Sequence, residues 1–154
     1  MIPRRGATVA GITQKHLSDV LEIRKALEDL AIELACQRMS NETREELEEM
    51  QNKFKANMDS TDSLMLANLD EKFHETIYHS TNNERLVTML ANLREQMYRY
   101  RLEYIKDKDK RNQLVSEHDR ILKAIKLRHV VEAKQAIREH IDNQEITVLK
   151  SSGE

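Results

Sequence analysis

The sequence predicts an all-α fold, an antiparallel bundle of about six helices. The first observation is the placement of the helix breakers. Of three glycines and one proline, all but Gly153 fall before residue 12, so about 140 consecutive residues contain no strong breaker. The second is that apolar residues in this stretch recur every three or four positions, the period of an amphipathic helix. The third is the length, since 154 residues suit one domain with a core of its own.

Charge and composition exclude several classes of protein. The formal net charge is −2, without the high pI or basic face that usually marks a nucleic-acid-binding domain. A single cysteine, Cys36, rules out an internal disulfide and fits a reducing compartment. No run of about 18 apolar residues is present, and the first residues lack the apolar core of a signal peptide. We therefore expect a cytoplasmic protein with no membrane partner.

The first elements follow from the apolar pattern and from the polar breaks between helical stretches. Residues 1–16 contain the proline and two of the glycines and predict an extended arm. Helix 1 is predicted over residues 17–39, with an inward stripe of Leu17, Val20, Leu21, Leu27, Leu30, Ala31, Leu34 and Ala35. Ser40 or Asn41 is the predicted N-cap of helix 2, over residues 42–58. The apolar stripe of helix 2 is thin, which favours an outer position in the bundle.

Four further helices complete the predicted bundle. A polar break after helix 2 and an asparagine-rich turn after helix 3 separate them, because asparagine tolerates turn conformations and caps helices. The helices are predicted over residues 63–79, 84–106, 111–127 and 130–149. Residues 151–154 predict a disordered tail.

A carboxylate and three imidazoles occupy inward positions of these helices. Asp70 and His74 are four residues apart on helix 3, so they lie one above the other beside its apolar stripe. His118 and His140 have the same placement on helices 5 and 6. Such groups are costly in a core unless they are paired or bind a metal. We therefore predict that all four bind one divalent metal ion in a central cavity that also accepts a ligand.

The donor set narrows the choice of metal. Three imidazoles and one carboxylate suit zinc, nickel, iron, manganese or copper, and zinc is the default when the geometry is unknown. The alternative is that the histidines are ordinary hydrogen-bonded core residues. A single inward histidine favours that alternative, whereas three with a nearby aspartate favour the metal.

Three arginines lie on or beside inward faces. Arg24 falls within the stripe of helix 1, where it either pairs with a nearby carboxylate or faces a cavity and binds an anion. Arg94 and Arg101 are seven residues apart on one edge of helix 4. A guanidinium grips a carboxylate through two parallel hydrogen bonds, so these arginines are candidate effector-binding residues. The basic and aromatic run at residues 98–101 favours a cavity wall over a nucleic-acid contact, because its side chains point in different directions on a helix.

Five segments resemble the effector-binding C-terminal domain, called FCD, of the FadR branch of GntR-type bacterial transcription regulators. They read EIRKALE at 22–28, DEKFH at 70–74, NNERL at 82–86, EHDRILKAI at 117–125 and AIREH at 136–140. The resemblance covers about residues 17–150. It implies an antiparallel helical bundle that binds a divalent metal through one aspartate and three histidines, and these roles fall on Asp70, His74, His118 and His140. It also implies a small organic acid beside the metal, with Arg24 as the first effector-binding residue, Arg101 the next and Arg94 the third.

The resemblance also implies a domain organisation. Family members carry a winged-helix DNA-binding domain ahead of this one, and RRGATVA at residues 4–10 looks like the last strand of its wing. We therefore expect residues 1–16 to be the remnant of that wing and linker, residues 17–150 the FCD domain and residues 151–154 the tail. In a homodimer, effector binding would shift the two DNA-reading domains, and DNA would be bound only through those domains.

Two other functions compete with a metal-dependent sensor. Residues 71–74 have the Glu-x-x-His spacing of di-iron bundles, but such sites need that motif twice. The pairs Glu117-His118 and Glu139-His140 lack the spacing, so a di-iron or oxygen-binding metalloenzyme is the alternative rather than the prediction. The other is a plain helical interaction module with hydrogen-bonded core histidines. We expect an organic-acid sensor and no enzyme.

Overall fold

The computed structural model of the protein describes residues 13–152, with side-chain environments through residue 145. All regular structure in this part of the chain is helical, which confirms the predicted all-α bundle. The seven helices are α1 (Gln14–Arg38), α2 (Asn41–Ala56), α3 (Ser63–His79), α4 (Glu84–Gln96), α5 (Tyr98–Lys106), α6 (Lys108–Lys126) and α7 (Val130–Ser152). None of the helices described here is both long and apolar enough to cross a membrane.

The predicted helix over residues 84–106 is two helices in the structure. Met97, at φ −98° and ψ 0°, separates α4 from α5. Its amide donates to the carbonyl of Arg94 at 3.0 Å, and a guanidinium N–H of Arg101 donates to the same carbonyl at 3.3 Å. Neither glycine nor proline marks this break, which is why the apolar spacing predicted one continuous helix.

Both ends of the described chain are more helical than predicted. α1 begins at Gln14, and Thr13 caps it by accepting a hydrogen bond from a backbone amide of the first turn. The rest of the predicted arm, residues 1–12, lies outside the described residues. At the other end α7 continues to Ser152, so half of the predicted tail is helical, while residues 153–154 are outside the described part.

α1 and α7 lie antiparallel along each other. The Lys25 amine contacts Asp142 at 2.8 Å and Glu145 at 3.3 Å, while further along α1 the Asp29 carboxylate contacts Arg138 at 2.9 Å. α6 packs on α7, and α3 packs between α2 and the pair α4 and α5. α2 buries few residues, chiefly Leu47, Gln51 and Phe54, in agreement with its predicted outer position.

The apolar core consists of two clusters that meet at a histidine. The larger is built mainly from α1, α6 and α7, and the smaller includes Phe54, Leu66, Tyr104 and Leu114. The His118 ring stacks on Phe73 of the larger cluster with 4.3 Å between ring centroids. It also meets Phe54 of the smaller cluster edge-on at 6.5 Å. The imidazole is therefore held between aromatic rings of both clusters.

One part of the predicted α1 stripe is wrong. Leu30 is 42% exposed rather than buried, and Ile23 on the same side is 51% exposed. With the partly buried Leu27 and Leu34, they follow one face of α1 at spacings of three and four residues. Met89 on the neighbouring α4 is also 51% exposed. We call this surface the α1–α4 face.

Arg111 hydrogen-bonds to three backbone carbonyls in two segments of the chain, beside the smaller cluster. It is buried, and its Nε donates to the carbonyl of Ile105 at 2.6 Å. Its Nη1 donates to the carbonyls of Met58 at 2.7 Å and Ser60 at 2.9 Å. These carbonyls follow the end of α2 or lie near the end of α5, where a helix has no partners of its own for them.

Candidate metal centre

Three helices bring the predicted ligands together. α3 carries Asp70 and His74, α6 carries His118 and α7 carries His140, and all four side chains are buried. One candidate ligand atom from each of the three imidazoles lies within 4.8 Å of the others. The three rings also contact one another, with centroids 5.1–5.2 Å apart. The residues that the sequence singled out thus meet in one place.

Asp70 stands beside the three histidines. Its Oδ1 is 3.3 Å from Nε2 of His74 and 3.3 Å from Nε2 of His118. Neither pair makes a hydrogen bond, since Asp70 Oδ1 and the Nε2 atoms of His74, His118 and His140 are all buried without a partner. A buried polar atom left in this way costs about 1–3 kcal/mol. The three imidazoles form a group that could hold a metal ion, and the Asp70 carboxylate lies beside two of them, so this donor set suits a divalent cation.

Glu117 fixes the orientation of His140. Its Oε1 lies 2.7 Å from Nδ1 of His140, so a proton on Nδ1 donates to the carboxylate and the lone pair of Nε2 faces the other ligands. Gln113 and Asn143 each donate to Oε2 of Glu117, at 3.1 and 2.6 Å. Sequence pattern places Glu117 only within a motif and does not reveal this role. A glutamate next to one predicted ligand was the available signal, although its partner lies on another helix.

Burial keeps the imidazoles of His74 and His118 neutral. It lowers the pKa of His118 to about 3, against the opposing effect of the Asp70 carboxylate. Burial, together with the positive charge of Arg94, also holds the pKa of His74 well below its ordinary value. Burial opposes charge on Asp70 as well, but the nearby Arg94 guanidinium counteracts it, and the pKa of Asp70 lies well below its usual range. Neutral imidazoles beside an ionised carboxylate are the protonation states that a metal requires.

Arg94 and Arg101 contact the acidic side of the centre. Arg94 donates to both carboxylate oxygens of Glu71 at 3.3 Å and to Asp70 at 3.4 Å. Arg101 lies 2.7 Å from Glu71 and 3.9 Å from Asp70. Each arginine still has a buried nitrogen without a partner, Nη1 in Arg94 and both Nε and Nη1 in Arg101. The two guanidinium groups thus retain unused donors.

Arg24 pairs with a carboxylate, as the first of its two predicted alternatives requires. Its Nε donates to Glu28 at 3.0 Å and its Nη1 donates to Gln144 at 3.0 Å, while the Tyr78 hydroxyl donates to the same Glu28 oxygen at 2.9 Å. The carboxylate therefore pairs with the buried cation. Nη2 of Arg24 remains buried and without a partner, so one donor is available to an anion.

A small cavity adjoins these arginines. Its volume is about 10 Å³, and it is lined by Arg24, Met97, Tyr100, Arg101, Tyr104 and Gln144. That volume accommodates about one water molecule. Apolar spacing predicts burial and not the direction of a polar tip, so it does not reveal that Gln144 and Tyr104 line this cavity. A far larger groove of about 410 Å³ lies on the surface between α2 and α6, away from the centre.

The glutamates considered for a di-iron site form contacts with arginine and histidine side chains. Glu71 contacts Arg94 and Arg101, Glu117 contacts His140, and Glu139 pairs with Arg120. None of these contacts assembles the second Glu-x-x-His unit that a di-iron bundle needs.

Comparison with known proteins agrees with this architecture. The chain matches the family model of the FCD domain over residues 19–143. It is 26% identical over 141 residues to YdhC, an HTH-type transcriptional regulator of Bacillus subtilis; the match covers 91% of this chain and 63% of that protein. The chain therefore spans less than two thirds of that relative's length. The solved structure of E. coli McbR/YncC superposes with a TM-score of 0.81 at 22% identity, over 91% of this chain and 70% of that one, and has the same fold.

Proposed function

The chain belongs to the FCD domain family, the effector-binding domains of GntR-type transcription regulators, and from this premise we propose that it is a metal-dependent sensor of a small organic acid. The family consists of effector-binding domains and not of enzymes, which excludes the metalloenzyme alternative. The domain binds its effector and breaks no bond, so no residue has a catalytic role.

The convergence of unpartnered donor atoms is the observation that carries the proposal. Asp70, His74, His118 and His140 are the metal ligands, and zinc is the first choice, with nickel, manganese and iron also suited to the set. When bound, the ion supplies a Lewis-acidic position that accepts an oxygen of the effector. Glu117 holds His140 in the tautomer that such an ion needs.

The arginines supply the charge that an organic acid requires. Arg24 and Arg101 line the small cavity and retain unpartnered donors, so they contact the carboxylate of the effector. Arg94 has one unused nitrogen and two bonds to Glu71. We therefore keep it as the third effector-binding residue, with positioning of Glu71 and Asp70 as its main task.

The size of the cavity links binding to movement. At about 10 Å³ it admits a water molecule but no carboxylic acid, so an effector enters only when the wall moves. Met97, Tyr100, Arg101 and Tyr104 all belong to α5 or its junction with α4. We infer that a shift of this short helix accompanies binding. In the intact regulator the shift would alter the placement of a winged-helix DNA-binding domain, provided that the effector prefers one arrangement.

The proposed partners are a second copy of the chain and DNA. A homodimer places two DNA-reading domains on one operator. The α1–α4 face is the surface that we assign to it, because Ile23, Leu30 and Met89 expose apolar area there. DNA is bound only through the winged-helix domain, and the regulator acts in the cytoplasm.

Metal analysis combined with an acid screen tests the proposal. Protein purified without added metal should contain about one divalent ion per chain. Small mono- and dicarboxylates should then raise its thermal midpoint, and a chelator should abolish that rise. Protein that contains no metal and binds none when zinc is added, or acids that bind equally well with and without the chelator, would contradict metal-dependent sensing.

A further inference from the structure

The charges around the centre limit the charge of the effector, an argument that rests on the proposed function. Three arginines of the described chain face four carboxylates in this cluster, and a divalent ion would therefore leave one positive charge in excess. The members are Arg24, Arg94 and Arg101, with Glu28, Asp70, Glu71 and Glu117. Buried charge that is not balanced is costly. A singly charged acid restores neutrality, whereas a dicarboxylate leaves one negative charge in excess.

The hydroxyl group of Tyr104, a residue of the cavity wall, makes no hydrogen bond within the described part of the fold. Tyr104 is only 4% exposed, and its hydroxyl oxygen is buried without a hydrogen-bond partner. The residue lines the same cavity as Arg24 and Arg101. A buried tyrosine hydroxyl usually finds a partner, so this one calls for an explanation.

The chemistry of this hydroxyl differs from that of the neighbouring arginines. A guanidinium only donates, whereas a phenolic oxygen both donates and accepts. The arginines can therefore donate to a carboxylate or to a hydroxyl oxygen, but they cannot accept the proton of a hydroxyl group. Tyr104 can accept from such a hydroxyl and can donate to it as well.

We propose that the effector is a singly charged hydroxy acid and that Tyr104 is the residue that recognises its hydroxyl group. A site built around a hydrogen bond rejects the analogue that lacks the matching group, because a buried polar atom is then left without a partner. Tyr104 is thus a specificity-determining residue, while the metal and the arginines bind the carboxylate.

Calorimetry on zinc-loaded protein with matched acids tests the proposal. The probes are glycolate against acetate, lactate against propanoate, and 2-hydroxybutanoate against butanoate. We expect the unsubstituted protein to bind the hydroxy member of at least one pair roughly tenfold more tightly. Tyr104→Phe should reduce that preference to about twofold or less, mainly by weakening the hydroxy acid. Hydroxymalonate, which adds a second carboxylate to glycolate, should bind more weakly than the preferred hydroxy acid.

Tyr98→Phe is the matched control, because it removes a tyrosine hydroxyl from the same helix at an exposed position outside the cavity lining, and it should keep the preference. Metal content of Tyr104→Phe should equal that of the unsubstituted protein, and its thermal midpoint should not fall, because the variant removes a buried hydroxyl that has no partner. Acids that bind without any preference for the hydroxy member, a preference that survives Tyr104→Phe, or tighter binding of hydroxymalonate would each overturn the inference and leave the sensor proposal intact. Failure of every acid to bind would remove both.

Discussion

Two regions of this protein contain buried arginines, and they differ in whether every buried guanidinium nitrogen has a hydrogen-bond partner. Arg111 has no buried nitrogen without a partner, because its N–H groups donate to three backbone carbonyls. Arg24 and Arg101 are as deeply buried, yet each keeps a nitrogen with no partner, and the adjacent imidazoles do the same. A protein satisfies the polar groups that hold its fold together. Groups left unsatisfied in the same interior are therefore candidates for binding something else.

Removing a metal ligand should have the largest effect. We expect His118→Ala to weaken zinc binding by on the order of several hundredfold, because a four-ligand site contributes roughly 10–16 kcal/mol and each ligand about a quarter of that. Competition against a chromophoric chelator measures the affinity. His129→Ala, in an exposed turn, is the control and should bind zinc normally. Equal affinity in both variants would show that the centre is not the metal site.

Removing the satisfied arginine should affect stability and leave the metal in place. Arg111→Met abolishes hydrogen bonds to three carbonyls, and we expect the free energy of unfolding to fall by roughly 3 kcal/mol. Urea denaturation of the metal-free protein measures this loss. Zinc affinity of the folded variant should stay within about twofold of the original. A large loss of zinc affinity would mean that the two regions do not act separately.

Weakening the hydrogen bond behind His140 should have an intermediate effect. Glu117→Gln replaces the carboxylate that orients Nδ1 with a neutral amide, and we expect zinc affinity to fall roughly ten- to a hundredfold. Glu139→Gln makes the same chemical change one residue from His140, at an exposed position. A Glu139 variant as impaired as the Glu117 variant would exclude a specific orienting role.

Acid should destabilise the metal-free protein through the centre. The pKa of His118 is about 3 in the folded chain and about 6.5 when unfolded, so the unfolded state binds more protons between these values. Stability is therefore complete above pH 6.5 and declines as the pH falls towards 3. For His118 alone we expect a loss of roughly 1 kcal/mol between pH 7 and 5.5. Urea denaturation with a chelator present checks the slope, which Arg111→Met should leave unchanged.

Sequence pattern was sufficient for the fold and for the residues that meet at the centre. Breaker placement and apolar period predicted the helices, and Asp70, His74, His118 and His140 were identified because each is polar at an inward position. The break at Met97 carried no signal, since Met97 is neither glycine nor proline and tertiary contacts of Arg101 stabilise it. Leu30 was placed inside because period alone cannot tell a core stripe from an exposed apolar face.

Sequence pattern did not predict the hydrogen-bond partners within the site. Glu117 meets His140 across two helices, and Gln144 meets Arg24 across 120 positions of the chain. Nothing in the spacing of either residue marks such a contact. The unsatisfied hydroxyl of Tyr104 likewise emerges only when every partner around it is known.

The donors of the centre come from positions 70, 74, 118 and 140, which are distant along the chain. An ion held there would act as a removable crosslink between α3, α6 and α7. It would close long loops of the chain, and closing a long loop costs conformational entropy. Because such an ion binds the native chain best, each tenfold rise in its free concentration above the dissociation constant would add about 1.4 kcal/mol to the stability of the domain. The free concentration of the ion would then set how much of this domain is folded.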